Sequence, residues 1–379
     1  MSGQTFYRDK PYVFIPFQDN ATRHKPDASN SYYKAILGEC GTLEVTLKAI
    51  TPLHFGQGSL SIDKKQKIGL VHAIARQNGE VALPGSSFKG MLRSFFEAVS
   101  NSCILSQPDM GFSKYHYSSS SRKKCNYGNG YCPACSVFGS LGKKGKLKFT
   151  SFLVNGNATI DNYQIPQLES PFRDYPSKES GSEHWVEKKY GNERLYYGDF
   201  EDLHGTDIGN LTKSDFFLKK DNKIREKGQD VSFYGRKFYK HSQTPILGKD
   251  DAGNTFECLQ PGTELKGYIH YEGLSKEELS QLAFSLGLGW KEQIYYKIGY
   301  AKPAYYGSIS LHVGVVSPKP RYEDIGSHCD INELINLAKD YRKSADDSVI
   351  KAILAFEKIW TSTDGPSQWK QSGQGNLTY

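Results

Sequence analysis

The sequence contains neither a long apolar run nor a hydrophobic N-terminal segment. No apolar stretch in its 379 residues approaches the length that spans a bilayer, and residues 1–9 are polar, unlike a signal peptide. We therefore expect a cytoplasmic protein without a membrane partner. In that reducing compartment, the seven cysteines are expected to be metal ligands or buried thiols rather than disulfides.

Acidic residues are absent from a long segment in the first half of the chain. Residues 110–160 contain no Asp or Glu, and the whole chain carries a net charge of +7. Such a surplus of cations favours RNA as a ligand, although a solvated basic loop is the alternative. The 25 Tyr and 20 Phe can stack on unpaired bases or fill a core. The cations of this segment are Lys114, Arg122, Lys123, Lys124, Lys143, Lys144, Lys146 and Lys148.

The hydrophobic pattern predicts the order strand, helix, strand, strand, helix, strand. Apolar residues alternate over residues 41–49, and a helical pattern follows an N-cap at Ser86 or Ser87. A capping box of Ser275 and Glu278 begins the second helix. The other predicted strands cover residues 146–153, 263–271 and 308–316, and two more helices begin near residues 330 and 348. This order is that of an α+β, ferredoxin-like (RRM-like) βαββαβ core, which RNA-recognition modules share.

The same pattern divides the chain into a core with additions. Weak periodicity, many charges and scattered glycines indicate a large insertion between the two halves of the core. The expected segments are an N-terminal arm (1–40), the first half of the core (41–153) with a zinc-binding loop (101–140), the insertion (154–257), the second half of the core (258–316) and a helical C-terminal extension (317–379).

Three cysteines have the spacing of a metal-binding loop. Cys132 and Cys135 place two thiolates on one tight turn, and Cys125 supplies a third. A structural zinc site needs a fourth ligand. His116 lies on the same loop and is the preferred candidate, whereas Cys103, just past the first helix, is the alternative. No His-Glu set that could activate water lies nearby, so the expected zinc is structural.

Three other segments combine cations with a helix start, with glycines or with aromatic residues. Lys89 and Arg93 lie one turn apart near the start of the first helix, where exposed backbone N–H groups can hold a phosphate. The other two segments are a glycine loop, residues 298–307, and a basic aromatic segment, residues 235–241. A capped helix, a plain turn and an edge strand are the alternative interpretations. The residues expected to contact RNA are His54, Lys89, Arg93, Arg236, Lys237, Lys302, Tyr305 and Tyr306.

Four motifs, in this order along the chain, resemble the RAMP superfamily of repeat-associated proteins, which form the backbones of type III CRISPR effector complexes. They are residues 51–58, 84–90 and 132–139 and the glycine loop. The resemblance implies an insertion-bearing subunit that binds CRISPR guide RNA, target RNA and the other subunits of such a complex. The alternatives are a non-catalytic assembly subunit and, less favoured, an endoribonuclease that processes CRISPR transcripts with His54 as its acid–base group.

In the RNA-cleaving members of this family, an aspartate lies in the loop after the first strand. Asp63 matches it and is the only carboxylate between Glu44 and Glu80. The match implies a metal-dependent endoribonuclease in which Asp63 is catalytic and either binds Mg²⁺ or orients the ribose hydroxyl. The chain departs from the family pattern in the basic segment that follows, residues 64–67.

Overall fold

The computed structural model describes the predicted core and parts of the segments around it. The described residues are 11–18, 21–25, 38–63, 69–103, 125–166, 168–169, 175–177, 184–186, 225–226, 229–230, 236–248, 254–316, 329–360 and 377–378. Within them the α-helices are α1 (Gly85–Ala98), α2 (Pro133–Phe138), α3 (Lys276–Ser285), α4 (Ile331–Ser344) and α5 (Asp347–Trp360). The strands are β1 (Tyr12–Ile15), β2 (Glu39–Ala49), β3 (Gly56–Asp63), β4 (Gly69–Ile74), β5 (Arg76–Gln77), β6 (Glu80–Leu83), β7 (Leu147–Phe149), β8 (Phe152–Val154), β9 (Ile160–Gln164), β10 (Leu168–Glu169), β11 (Tyr175–Ser177), β12 (His184–Val186), β13 (Arg225–Glu226), β14 (Gln229–Asp230), β15 (Arg236–Tyr239), β16 (Thr255–Leu259), β17 (Glu264–Leu274), β18 (Tyr296–Lys297), β19 (Ser308–Val315) and β20 (Leu377–Thr378).

The predicted core strands lie together in one main sheet. β2 is an interior strand of this sheet. Its alternating residues Leu43, Val45 and Leu47 point to one face and are buried in the core. β2 pairs antiparallel with β17 on one side and with β19 on the other, and β8 pairs with β17. The order across the sheet is β18-β19-β2-β17-β8-β6-β5, with β7 also paired to β17. The predicted strand at residues 146–153 is thus divided between β7 and β8.

Helix α1 packs on this sheet through phenylalanine rings. Phe88 stacks on Phe152 of β8 with ring centroids 4.4 Å apart, and Phe95 meets Tyr296 of β18 at 5.4 Å. Phe356 of α5 contacts Phe95 at 4.7 Å, so the C-terminal helices share the same core. Such rings bury large apolar areas and dominate core energetics. Among the helices that the structure describes, none combines the length and the apolar character that a bilayer crossing requires.

The start of α1 differs from the prediction. The helix begins at Gly85 and no side chain caps it, so the predicted N-cap at Ser86 or Ser87 is wrong. A Cβ atom at Gly85 would lie 2.5 Å from the backbone oxygen of Thr150. The start of this helix is therefore set by close packing against the segment between β7 and β8.

The predicted starts of two later helices are confirmed. Ser275 accepts a hydrogen bond from the backbone N–H of Glu278, and the Glu278 carboxylate accepts one from the N–H of Ser275. Asp330 caps α4 in the same manner, by accepting from the N–H of Glu333 at 2.8 Å. Each side-chain cap satisfies a backbone donor that has no partner within the helix.

A second sheet of four strands, in the order β3-β4-β16-β9, was not predicted. β3 and β4 form an antiparallel hairpin, where the sequence indicated a loop. The strands were missed because their apolar residues Leu60, Ile62 and Leu70 are exposed, so buried and exposed residues do not alternate in the usual way. β9 and β16 come from the two ends of the predicted insertion. β16 runs parallel to β4, with Phe256 opposite His72, so the insertion is hydrogen-bonded to residues that precede α1.

The N-terminal arm, for which no strand was predicted, contains one. β1 pairs antiparallel with β15, and Tyr12 lies opposite Tyr239. Farther along the arm, His24 and Tyr131 exchange two backbone hydrogen bonds, with N···O distances of 3.1 and 2.9 Å. The arm therefore packs on the loop that carries Cys132.

Candidate functional site

Four cysteine side chains converge between α1 and α2. Their Sγ atoms all lie within 4.8 Å of one another. A zinc ion about 2.3 Å from each of four sulfurs requires S···S separations of about 3.8 Å. The Sγ atom of Cys103 lies 3.7, 3.5 and 3.8 Å from those of Cys125, Cys132 and Cys135 respectively. These four residues, which we call the cysteine cluster, can hold a metal ion such as zinc.

Local structure at two helix ends brings the cysteines together. Cys132 is the N-cap of α2 and Cys135 lies inside that helix, so one turn presents both thiols. Cys103 follows the end of α1 and is buried. The neighbouring Ser102 accepts a hydrogen bond from the N–H of Ala134 at 3.0 Å. This bond fixes the segment after α1 against the first turn of α2.

N–H groups surround the sulfur atoms of the cluster. Arg23 Nε donates to Cys125 Sγ at 3.4 Å, and the backbone N–H of Cys132 donates to the same sulfur at 3.4 Å. Arg93 Nη2 donates to Cys135 Sγ at 3.7 Å. A zinc ion with four thiolates carries two surplus negative charges, which two guanidinium groups can offset. These donors thus offset part of the negative charge that thiolate ligands bring to a metal site.

The fourth ligand position is filled by a cysteine in this structure. Cys103, the alternative in the sequence analysis, completes the cluster with Cys125, Cys132 and Cys135. The preferred candidate, His116, lies outside the described residues. The four cysteines are sufficient, without a histidine, to provide the ligands of a closed structural zinc site.

Arg93 and Lys89 on α1 have different surroundings. Arg93 Nε donates to Glu97 at 2.8 Å, and Nη1 donates to the backbone oxygen of Gly139 at 2.8 Å, in addition to the contact with Cys135. Arg93 therefore fixes the segment of the cysteine cluster, a role that the spacing did not indicate. Lys89 is half-buried, and burial lowers its pKa, with a further contribution from the charge of Arg93. The binding of RNA by either residue stays a prediction.

Two glycine motifs of the sequence, residues 51–58 and the glycine loop at residues 298–307, meet in the structure. The N–H of Tyr300 donates to the backbone oxygen of His54 at 2.9 Å. Gly299 and Gly307 have φ values of 85° and 69°. A Cβ atom at Gly299 would lie 2.2 Å from the oxygen of His54, and one at Gly307 would lie 2.0 Å from another backbone oxygen of the loop. Only glycine fits both positions, so this pairing of loops depends on the motif.

His54 is a buried and neutral member of this pair of loops. Its side chain is 3% exposed, and Nδ1 donates to the backbone oxygen of Glu257 at 2.7 Å. Burial lowers the pKa of His54, and the hydrogen bond to Glu257 opposes that effect only in part. A neutral imidazole packed edge-on against Phe256 carries no charge for a phosphate. These surroundings do not favour the acid–base role that the processing-nuclease alternative requires.

The tyrosines that were expected to contact RNA are buried. Tyr305 is 2% exposed and Tyr306 is 0% exposed. The ring of Tyr306 meets the ring of Tyr163 at 6.0 Å. Tyr300, which was not among the expected contacts, is the half-buried tyrosine of the glycine loop. An irregular loop has no periodicity from which its inward and outward residues could be distinguished.

Two lysines lie close together at the glycine loop. Lys302 begins a short 3₁₀ turn between Ala301 and Tyr305, which have positive φ values of 57° and 66°. Burial lowers the pKa of Lys302. Lys297, which the sequence did not single out, is buried and its Nζ donates to the backbone oxygen of Tyr306 at 3.0 Å. Burial, and then the charge of Lys302, hold the pKa of Lys297 well below its usual range.

Arg236 and Lys237 lie on β15 and contact the arm. Arg236 is buried, donating to Gln18 Oε1 at 2.8 Å and to the backbone oxygen of Ser102 at 3.1 Å. Lys237 Nζ lies 3.9 Å from the ring centroid of Tyr12. Arg236 therefore joins the arm to the segment of the cysteine cluster, and Lys237 contacts the arm. Their contact with RNA stays a prediction.

Asp63 ends β3 in the hairpin, opposite Gly69 of β4. It was expected in a loop, whereas the structure places it in a strand. The basic residues 64–67 and the Asp63 side chain lie outside what the structure describes. Its catalytic role therefore stays a prediction.

Comparison with known proteins identifies the family of the chain. A family model described as the RAMP superfamily matches residues 46–360, which is more than half of the sequence. The matched range contains the cysteine cluster, both glycine motifs and nearly all of the main sheet. A comparison with curated proteins found no match.

Proposed function

Since the chain belongs to the RAMP superfamily, we propose that it is an RNA-binding backbone subunit of a type III CRISPR ribonucleoprotein complex. In this role it holds the guide RNA, together with the target RNA paired to it, beside the other subunits. The observation that carries the proposal is the extent of the family match, which runs from β2 to the end of α5.

The main sheet is proposed to be the ferredoxin-like core of this subunit. In chain order its elements are β2, α1, β7 with β8, β17, α3 and β19, which is a βαββαβ arrangement. The strand order β19-β2-β17-β8, with the first and third strands at the centre, also supports this assignment. The two halves at residues 41–153 and 258–316, the insertion at 154–257, the arm at 1–40 and the extension at 317–379 are the proposed domain layout.

The cysteine cluster is proposed to bind structural zinc. The tetrahedral spacing of its sulfurs and the two arginines beside them support this choice. The ion would join the end of α1 to α2 and would contribute folding free energy directly.

The RNA backbone is proposed to contact lysines on the surface near the cysteine cluster and the glycine loop. Lys144 is exposed, and Lys89 and Lys302 are half-buried. Lys148 forms an exposed ion pair with Glu272 at 2.7 Å. Exposed ion pairs contribute about 0–1 kcal/mol, so such a lysine can exchange its partner for a phosphate at little cost.

Salt dependence tests whether the chain binds the RNA backbone in this way. Full-length protein is titrated with single-stranded RNA at several salt concentrations. Because each phosphate contact releases a counterion, we expect the logarithm of the affinity to fall steeply and linearly with the logarithm of the salt concentration. An affinity that salt does not change would contradict the proposal.

Cleavage of target RNA at Asp63 is a second candidate function. Asp63 ends strand β3, and the residue before it, Ile62, is 70% exposed, so a long polyanion can reach this position. The carboxylate would bind Mg²⁺ or orient the ribose 2′-hydroxyl that attacks the adjacent phosphodiester. In an assembled complex given labelled complementary RNA and Mg²⁺, we expect Asp63→Ala to remove one cut site and leave binding nearly intact. Cleavage at every wild-type position by this variant would identify the subunit as a scaffold.

A further inference from the structure

One face of the second sheet carries a row of side chains that crosses all four strands. Leu60 of β3 lies opposite His72 of β4, and His72 lies opposite Phe256 of β16. Phe256 in turn lies opposite Tyr163 of β9. Because directly opposed residues of neighbouring strands point to the same face, these four side chains form one continuous row.

Three aromatic rings are stacked at the centre of this row. The rings of His72 and Phe256 lie 4.3 Å apart at an interplanar angle of 11°, and those of Phe256 and Tyr300 lie 4.8 Å apart at 22°. Tyr300 enters the stack from the glycine loop. His54 supports the middle ring edge-on at 5.0 Å. Phe256 is buried, whereas His72 and Tyr300 are half-buried, so the stack is anchored at its centre and reaches the surface at both ends.

The hairpin beside the stacked rings exposes large apolar side chains. Leu60, Ile62 and Leu70 are 52%, 70% and 54% exposed. Ile62 lies opposite Leu70, one pleat beyond the pair of Leu60 and His72 and on the same face. A contiguous exposed apolar surface marks an interaction site. We call these four residues, Leu60, Ile62, Leu70 and His72, the hairpin platform.

The charge of the surrounding sequence indicates what covers the platform. Between Glu44 and Glu80 the only carboxylate is Asp63, and the four residues that follow it in the sequence, 64–67, include three lysines. An apolar surface with cations next to it in the sequence is complementary to single-stranded RNA, in which flat base faces alternate with charged phosphates. A protein partner would need a matching apolar patch with an acidic rim.

We propose that the hairpin platform binds unpaired bases of an RNA strand. The bases pack on His72 and on the exposed surfaces of Leu60 and Ile62, and the stacked rings of Phe256 and Tyr300 hold His72 in place. This inference rests on the proposed RNA-binding function and locates its base contacts on a surface outside the basic motifs. Every base has an apolar face, so the contact does not depend on sequence.

The test separates base contacts from backbone contacts. Full-length protein is titrated with a mixed-sequence single-stranded RNA and with a ribose-phosphate oligomer of the same length that lacks bases. We expect the wild type to bind the RNA about tenfold or more tightly than the baseless oligomer, because only the RNA has bases that can stack on side chains. The double variant Leu60→Ser, Ile62→Ser should lose most of this preference while its affinity for the baseless oligomer stays unchanged.

Control variants make the outcome specific to the platform. Leu354→Ser removes a leucine of similar exposure, 49%, from α5 and should keep the full preference. His72→Ala should reduce the preference, and His72→Phe should restore it, because a phenyl ring retains the stacking face.

Two results would overturn the assignment. If the double variant prefers RNA over the baseless oligomer as strongly as the wild type does, the platform does not bind bases. If the wild type binds neither oligomer, the proposed RNA-binding function fails, and this inference fails with it.

Discussion

At the scale of single residues, Cys103 determines whether the cysteine cluster is a four-sulfur zinc site. We expect about one zinc per chain in the wild type and a marked loss in Cys103→Ser, because a structural site needs all four ligands. Zinc content by elemental analysis and the melting temperature are the measurements. Cys258→Ser is the matched control, since Cys258 is also a buried thiol but lies outside the cluster.

The alternative fourth ligand is tested in the same experiment. His116→Ala should keep the zinc content of the wild type if Cys103 is the ligand. Loss of zinc in His116→Ala together with retention in Cys103→Ser would reverse the assignment of the fourth ligand.

Arg93 and Lys89 should give different results when replaced. Arg93→Ala removes the donor to the Glu97 carboxylate, whose pKa is raised by burial and lowered by the charges of Arg236 and Arg93. Breaking such a pair costs about 3–5 kcal/mol when it is fully buried, so we expect a lower melting temperature and faster loss of zinc to a chelator. Lys89→Ala should keep both properties and reduce the salt dependence of RNA binding by about one phosphate contact. Wild-type stability and chelator resistance in Arg93→Ala would contradict this division.

His54 should make folding stability depend on pH. Burial lowers its pKa in the folded state, so the unfolded chain binds the proton more readily. Its contribution is therefore fully present above the ordinary histidine pKa of about 6.5 and is lost as the pH falls below that value. Urea unfolding is measured at about pH 7.5 and about pH 5.5, roughly one unit above and below that pKa. Between these two pH values, the free energy of unfolding should fall less in His54→Asn than in the wild type.

A control is needed because acid also protonates thiolates and weakens metal sites. His312→Asn replaces an exposed histidine on β19 and should lose stability with falling pH as the wild type does. If His54→Asn loses as much stability as the wild type when the pH falls, His54 is not held neutral by burial.

At the scale of elements, the glycine loop before β19 should tolerate no side chain at two positions. Gly299→Ala and Gly307→Ala each place a Cβ atom about 2 Å from a backbone oxygen at a positive φ. We expect each to lower the free energy of unfolding by more than about 1 kcal/mol. Gly314→Ala on β19 is the control, because no atom lies within 4 Å of its Cβ position. Equal stability of all three variants would show that the loop can rearrange.

The elements that could be predicted are those with a strong period or a cap. The alternation of β2 and the capping box of α3 depend on local chemistry, and both are present. The β3–β4 hairpin could not be predicted, because its apolar residues are exposed and its partner β16 lies far away in the sequence. Spacing likewise identified Cys125, Cys132 and Cys135, but the approach of Cys103 depends on how α1 packs against α2.

At the scale of the whole molecule, distant segments meet at the cysteine cluster. Arg23 comes from the arm, Arg93 from α1 and Arg236 from the segment before β16, and each donates to the cluster or to the residue beside it. Cation-rich motifs that were expected to bind RNA are thus partly used to hold the chain together. The sequence could not distinguish these uses, because a guanidinium suits both a phosphate and a buried carbonyl or thiolate.

The same scale decides the central claim, that this chain holds a CRISPR guide RNA. The most direct measurement is to purify the protein from cells that carry its native CRISPR locus and to sequence the RNA that remains bound. We expect small RNAs that share one repeated sequence at their 5′ ends, because a guide is defined by the repeat from which it is cut. Bound RNA with unrelated 5′ ends, or no bound RNA, would contradict the account.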